Sequence, residues 1–89
     1  MTNLDIPKVK QIFSALNNER RIKIVELCSK REYTITQLSR ELKLNYSVTV
    51  EYISMLEKIK LVEKRRNENK TVSVKSLIVL HDNGEIRRV

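Results

Sequence analysis

At Lys60 the hydrophobic pattern of this chain changes period, and few folds accommodate that change. Before it, apolar residues recur at three- and four-residue spacing, as on amphipathic helices. After it they alternate, as on half-buried strands. Helices first and hairpins last is the order of an α+β domain with a small antiparallel sheet.

The helical part is divided by its own capping residues. Pro7 suits a first helical turn, where its missing N–H would have no partner anyway. Ile6, Val9, Ile12, Phe13 and Leu16 follow at helical spacing. Asn17 and Asn18 interrupt the run, and either can cap a second helix from Glu19 to Ser29. Its apolar stripe is Ile22, Ile24, Val25, Leu27 and Cys28. Tyr33, Thr34 and Ile35 form a short β-prone stretch. Thr36 is then read as the N-cap of a short helix, Gln37 to Lys43, with Leu38 and Leu42 on one face. Beyond Leu44, Asn45 caps a longer helix, Tyr46 to Ile59, which turns Thr49, Ile53 and Leu56 inward.

In the second part, Leu61 to Arg66 and Thr71 to Lys75 read as strands, with Val72 and Val74 alternating against Thr71, Ser73 and Lys75. Asn67 to Lys70 is the turn between them, since Asn accepts left-handed backbone better than other non-glycine residues. Leu77 to Leu80 and Glu85 to Val89 flank Asp82-Asn83-Gly84, a strong hairpin signal, and a short helix over residues 76–82 is the competing reading. Two helices joined by a tight turn and followed by a β-hairpin is the layout of a winged helix-turn-helix. The expected fold is therefore mainly α with a small β-sheet: three to four helices plus a hairpin wing. The single Pro and single Gly lie near the ends, so residues 1–89 read as one domain without a linker.

These segments together resemble the winged-helix repressors of the ArsR type, with MarR-type regulators second. Leu16 to Leu27 is similar to the family's L-x-x-x-x-R-x-x-I-L-x-L opening, and Ile35 to Leu42 to its V-x-x-L-A-x-x-L support helix. Asn45 to Leu56 resembles S-x-S-x-V-S-x-H-L-x-x-L, and Leu61 to Arg66 the start of its wing. The resemblance covers about two-thirds of the chain, from Leu16 to Val74. Three departures stand out. Lys60 occupies the place of the usual glycine before the wing, and a left-handed lysine there costs about 1 kcal/mol. Val50 and Tyr52 replace the usual Ser and His of the recognition helix. Thr34 and Thr36 occupy the positions of the metal sensors' Cys-x-Cys pair, and hydroxyls do not replace thiolates for soft metals.

Charge now becomes informative. The chain carries 18 Lys and Arg against 11 Asp and Glu, a net +7. Such a balance fits a polyanionic partner, or secondarily an anionic membrane surface. Residues 58–75 hold seven of the cations and two of the acids, so five of the seven excess charges sit at one helix end and hairpin. The expected DNA surface has three parts. The recognition helix supplies Asn45, Tyr46, Ser47, Val48, Val50, Glu51, Ser54 and Lys58, a face of small, hydroxyl and apolar residues suited to a major groove. Thr36 and Gln37 open the support helix toward phosphates. The wing supplies Lys64, Arg65, Arg66, Asn67, Asn69 and Lys70 for the backbone or a minor groove. Alternation puts Arg65 and Arg66 on opposite faces. A solvated hairpin with edge lysines against aggregation is the competing reading of the wing. Arg20, Arg21 and Lys23 form a second basic group, either structural or phosphate-neutralising.

Several function classes fall away. No Ser/His/Asp set, Gly-rich phosphate loop or metal-spaced cluster is present, so an enzyme is not expected, nor a cofactor or metal. His81 beside Asp82 reads as a surface or turn histidine, and Cys28, alone on an apolar stripe, as a buried small hydrophobe. Residues 1–5 lack the features of a signal peptide, and no apolar run approaches the roughly 20 residues of a membrane span. The expectation is a cytoplasmic, nucleoid-associated transcriptional regulator that binds double-stranded DNA as a homodimer, through terminal segments 1–17 and 76–89, and acts as a repressor. The alternatives are a winged-helix module for protein or RNA, and a chromatin-like protein that coats DNA without sequence preference.

Overall fold

The computed structural model describes residues 6–80 and 86–88. Their order is α1 (Ile6–Leu16), α2 (Glu19–Lys30), β1 (Tyr33–Thr34), α3 (Ile35–Leu42), α4 (Tyr46–Lys58), β2 (Val62–Arg66), β3 (Val72–Ser76), β4 (Ile78–Leu80) and β5 (Ile86–Arg88). β3 lies between β1 and β2 in an antiparallel three-stranded sheet, and β4 pairs with β5 in a separate ribbon. This is the winged helix-turn-helix arrangement. The paired strands β4 and β5 favour the second hairpin over a C-terminal helix. The Asp82-Asn83-Gly84 turn, His81 and residues 1–5 lie outside the described residues.

One apolar core holds the helices on the sheet. Ile24, Val25, Leu38, Ile53, Leu56 and Val74 are fully buried. α4 turns Thr49, Ile53 and Leu56 inward as the spacing predicts. On α2 the buried stripe is Ile24, Val25, Leu27 and Cys28, whereas Ile22 stands more than one-third exposed. The Cys28 thiol is pushed up to about 12 by that burial, so it stays protonated and behaves as a small hydrophobe.

Capping explains where α2, α3 and α4 start. Asn18 accepts from the N–H groups of Arg20 and Arg21, and Asn45 from that of Val48 at 2.8 Å. The support helix corrects the sequence reading. Its cap is Thr34, not Thr36: Thr34 Oγ1 accepts from the Gln37 N–H at 3.1 Å, and Gln37 Oε1 accepts from the Thr34 N–H at 3.0 Å. That reciprocal pair is a capping box, and it starts the helix at Ile35, two residues before the expected Gln37. The β-prone Tyr33-Thr34 pair still forms strand, as β1, but Ile35 is helical.

The ends of α3 and α4 share a device that the composition conceals. Leu44 N–H donates to Ser39 O and Lys43 N–H to Arg40 O, while Lys43 sits at φ 54°. Leu61 N–H donates to Leu56 O and Lys60 N–H to Glu57 O, with Lys60 at φ 64°. Both are Schellman motifs with lysine in the left-handed place where glycine is usual. Leu61 packs in the core with Leu56, the accompanying hydrophobic contact. Lys60 therefore adopts the strained conformation that glycine would take, and the turn enters β2 directly.

The hairpin departs from expectation in two ways. Lys70 N–H donates to Asn67 O, Asn67 N–H to Thr71 O, and the left-handed residue is Lys70 rather than either Asn. Asn69 instead accepts from the Thr71 N–H. Secondly, alternation on β3 fails at Ser73, which is buried although its neighbour Val72 is only half-buried. β3 is the central strand, and the Ser73 hydroxyl donates to Glu32 Oε1 at 3.0 Å, so burial leaves it satisfied.

Candidate nucleic-acid interface

α3 and α4 are locked together by hydroxyls. The fully buried Thr49 donates to the Asn45 carbonyl at 2.9 Å and accepts from Ser39 Oγ at 3.1 Å. Ser39 Oγ also lies 2.9 Å from the Ile35 carbonyl oxygen. This chain fixes the start of α4 against α3, so the outer face of α4 is presented on a rigid support.

That outer face is accessible where the sequence predicts. Asn45, Ser47, Glu51, Ser54 and Lys58 are exposed, and Tyr46 is 56% exposed at the helix start. Val48 and Val50 are half-buried, so they border this face rather than crown it. The side-chain oxygen of Asn45 is occupied by its own cap, which leaves the amide NH2 to face a ligand. Gln37 is similar: its oxygen serves the capping box and its NH2 remains. Thr36, relieved of capping, is exposed in the first turn of α3.

The wing cations divide by partner. Lys64 is held by Glu57 of α4 at 3.2 Å, which ties the wing's first strand to the recognition helix. Arg65 lies 3.8 Å from Glu63 on its own strand. Arg66 and Lys70, at the tip with Asn67 and Asn69, are exposed and lack an acidic partner among the described residues. An uncompensated cation at a hairpin tip retains its full charge for a phosphate, whereas a paired one must first exchange partners. The wing tip also approaches the helices. Thr34, Thr36, Tyr46, Lys70 and Thr71 line a shallow cleft of about 270 Å³, which gathers parts of all three predicted elements.

Residue spacing left the role of Arg21 open, and the structure assigns it a framework role. Its Nε donates to Ala15 O at 2.6 Å and a terminal nitrogen to Ser14 O at 3.3 Å, carbonyls in the last turn of α1, of which Ser14 O also accepts from the Asn17 N–H. Another nitrogen reaches Met55 Sδ at 3.2 Å, and the guanidinium stands 5.4 Å from the Tyr52 ring. Arg21 thus joins α1 to the recognition helix. Spacing alone carries no sign of that link, because its partners are backbone carbonyls and a thioether 34 residues away. Thr34 and Thr71 are the other omissions. The Thr34-x-x-Gln37 spacing is a capping-box signature and marks Thr34 in the sequence.

Among the described residues no group of three or more His, Cys, Asp or Glu is placed to hold a metal ion. No helix among them is long and apolar enough to cross a membrane.

Comparison with known proteins agrees with this geometry. A sequence profile described as "Bacterial regulatory protein, arsR family" matches residues 18–64, more than half of the chain. HlyU from Vibrio cholerae N16961 is 27% identical with a TM-score of 0.73, over 84% of this chain and 80% of that one. NolR from Sinorhizobium fredii is 24% identical with a TM-score of 0.74, over 85% and 81%. Mb0332 from Mycobacterium bovis, solved as a homodimeric winged helix-turn-helix DNA-binding domain, is 21% identical with a TM-score of 0.74, over 85% and 75%. No curated protein sequence matches the chain.

Proposed function

The chain belongs to the arsR family of bacterial regulatory proteins and is a winged helix-turn-helix transcriptional regulator that binds DNA; from that premise we propose that it acts as a homodimeric repressor. In this reading α4 enters the major groove. Ser47, Glu51 and Ser54 meet base edges, and Asn45, Tyr46, Thr36 and Gln37 meet the flanking backbone. Arg66 and Lys70 reach the phosphates or minor groove beside it. Two copies related by a two-fold axis would place their recognition helices one helical turn apart, about 34–36 Å. Repression follows from occupancy, since a dimer seated on an operator excludes other proteins from the same DNA.

The observation that carries this reading is the pairing of two surfaces. An accessible helix face of small side chains stands beside a hairpin tip whose Arg66 and Lys70 form no ion pair among the described residues. The first suits reading, because small residues permit close approach and hydroxyls can donate or accept. The second suits positioning, because phosphate contacts fix register without sequence information. Exposed apolar surface on α1, where Phe13 is 65% accessible, supports a dimer contact at the N-terminal helix.

Fluorescence anisotropy on labelled duplexes tests the proposal. Binding to an operator should survive excess competitor DNA and weaken steeply with salt. Ser47→Ala or Glu51→Ala should change which sequence is preferred. Equal affinity for all duplexes would mean a DNA-coating protein. Absence of duplex binding would mean a protein- or RNA-docking module.

A further inference from the structure

A cleft of about 490 Å³ lies between the second half of α1 and the end of α4, away from the wing tip. Its volume is in the range of small-molecule sites, roughly 300–1,000 Å³. Ala15, Met55 and Ile59 give it an apolar lining. Among the described residues, Lys10 and Lys58 are its charged lining, both exposed, and no carboxylate lines it. Gln11 and Ser14 add an amide and a hydroxyl.

Apolar floor, cationic rim and a few neutral donors are the recognition chemistry of an amphipathic anion. We propose that this cleft binds a small carboxylate with an aliphatic tail, and that its occupancy lowers affinity for DNA. The helix ends that frame the cleft bring partial negative charge of about half a unit each. On α1 that charge is already met by Arg21, which donates to Ser14 O and Ala15 O. The two ammonium groups therefore set the sign of the site.

Coupling to DNA has two physical routes. A carboxylate beside Lys58 removes a positive charge from the recognition helix. A tail against Met55 acts on a side chain that Arg21 bridges to the end of α1, so separating α1 from α4 strains that bridge. The coupling rests on the DNA-binding reading above, whereas ligand binding does not.

The test uses the full chain, ¹⁵N-labelled, titrated with decanoate below its micelle-forming concentration. Decanol and decyltrimethylammonium, with the same tail, are the comparison probes. Decanoate should shift the amides of Lys10, Gln11, Met55 and Ile59 saturably, at least tenfold more tightly than either comparison probe. Lys10→Gln should weaken decanoate at least fivefold, Lys10→Arg should retain it, and both should keep the wild-type circular dichroism. Equal binding of all three probes, or no shift at these amides, overturns the site. Burial of the same amides by self-association, with no decanoate binding, overturns it too and assigns the cleft to a second copy. Saturating decanoate should weaken duplex binding at least threefold in the wild type but not in Lys10→Gln. An unchanged duplex affinity with the cleft filled overturns the coupling alone. Loss of all duplex binding with decanoate binding intact overturns the DNA reading alone.

Discussion

Replacing Lys60 by glycine should stabilise this protein. Lys60 ends α4 at φ 64°, where a Cβ crowds the following carbonyl. The left-handed conformation costs a non-glycine residue about 1–2 kcal/mol. Glycine removes that cost but adds about 0.5–1 kcal/mol of conformational entropy to the unfolded chain. The difference leaves a gain of about 0–1.5 kcal/mol, centred on about 0.75, which for a domain of this size raises Tm by about 3–6 °C at the centre of that range. The backbone hydrogen bonds of the turn, Lys60 N–H to Glu57 O and Leu61 N–H to Leu56 O, do not depend on the side chain. Urea unfolding with a shared m-value measures the change. Lys58→Gly provides the opposite sign two residues earlier. Lys58 is the last residue of α4, in right-handed helix, and glycine there should cost up to about 1 kcal/mol. A destabilised Lys60→Gly variant, or equal responses at both positions, would refute the argument that backbone strain is stored at the end of the recognition helix.

Three further outcomes follow from the same structure. Arg65→Ala with Arg66→Ala should weaken binding to every duplex alike and reduce the salt slope by about 1–2; Arg66→Ala alone should account for most of it, because Arg65 is already paired with Glu63. Arg21→Ala should destabilise the fold by about 1–3 kcal/mol in urea unfolding, since it takes the donor from the part-buried Ala15 carbonyl and breaks the tie to α4, and Arg21→Lys should restore only part of that because an ammonium lacks the guanidinium fork. The Cys28 thiol should resist iodoacetamide at pH 8 in the folded protein and react once unfolded. Its value is pushed up from about 9 to about 12, so its contribution to stability is complete below pH 9 and is lost as pH rises toward 12, a loss absent from Cys28→Ala.

The fold was legible because its periodicities are clean. α4, its Asn45 cap and its buried Thr49-Ile53-Leu56 spine follow from spacing and one capping residue. The switch at Lys60 marks where helices give way to strands, although burial alternates on neither β2 nor β3. What escaped the sequence has a common cause. Left-handed backbone is expected at glycine or asparagine, yet here it falls on Lys43, Lys60 and Lys70; tertiary packing holds these turns in spite of residue preference. Thr34 and Thr36 are both good caps, and only the reciprocal bond to Gln37 decides between them. Ser73 is buried because β3 is central in the sheet, and strand order is a long-range property. For the candidate interface, the helix face and the wing charge were readable as composition and spacing. Which cations are paired was not, because Glu57 reaches Lys64 across two elements.

In the proposed function α4 reads DNA sequence in a two-fold dimer. Selection of bound duplexes from a random pool, using the full chain, tests it most directly. The expected result is enrichment of one motif repeated with two-fold symmetry, its half-sites about one helical turn apart. A pool that remains random after repeated rounds, while still binding the protein, would contradict it.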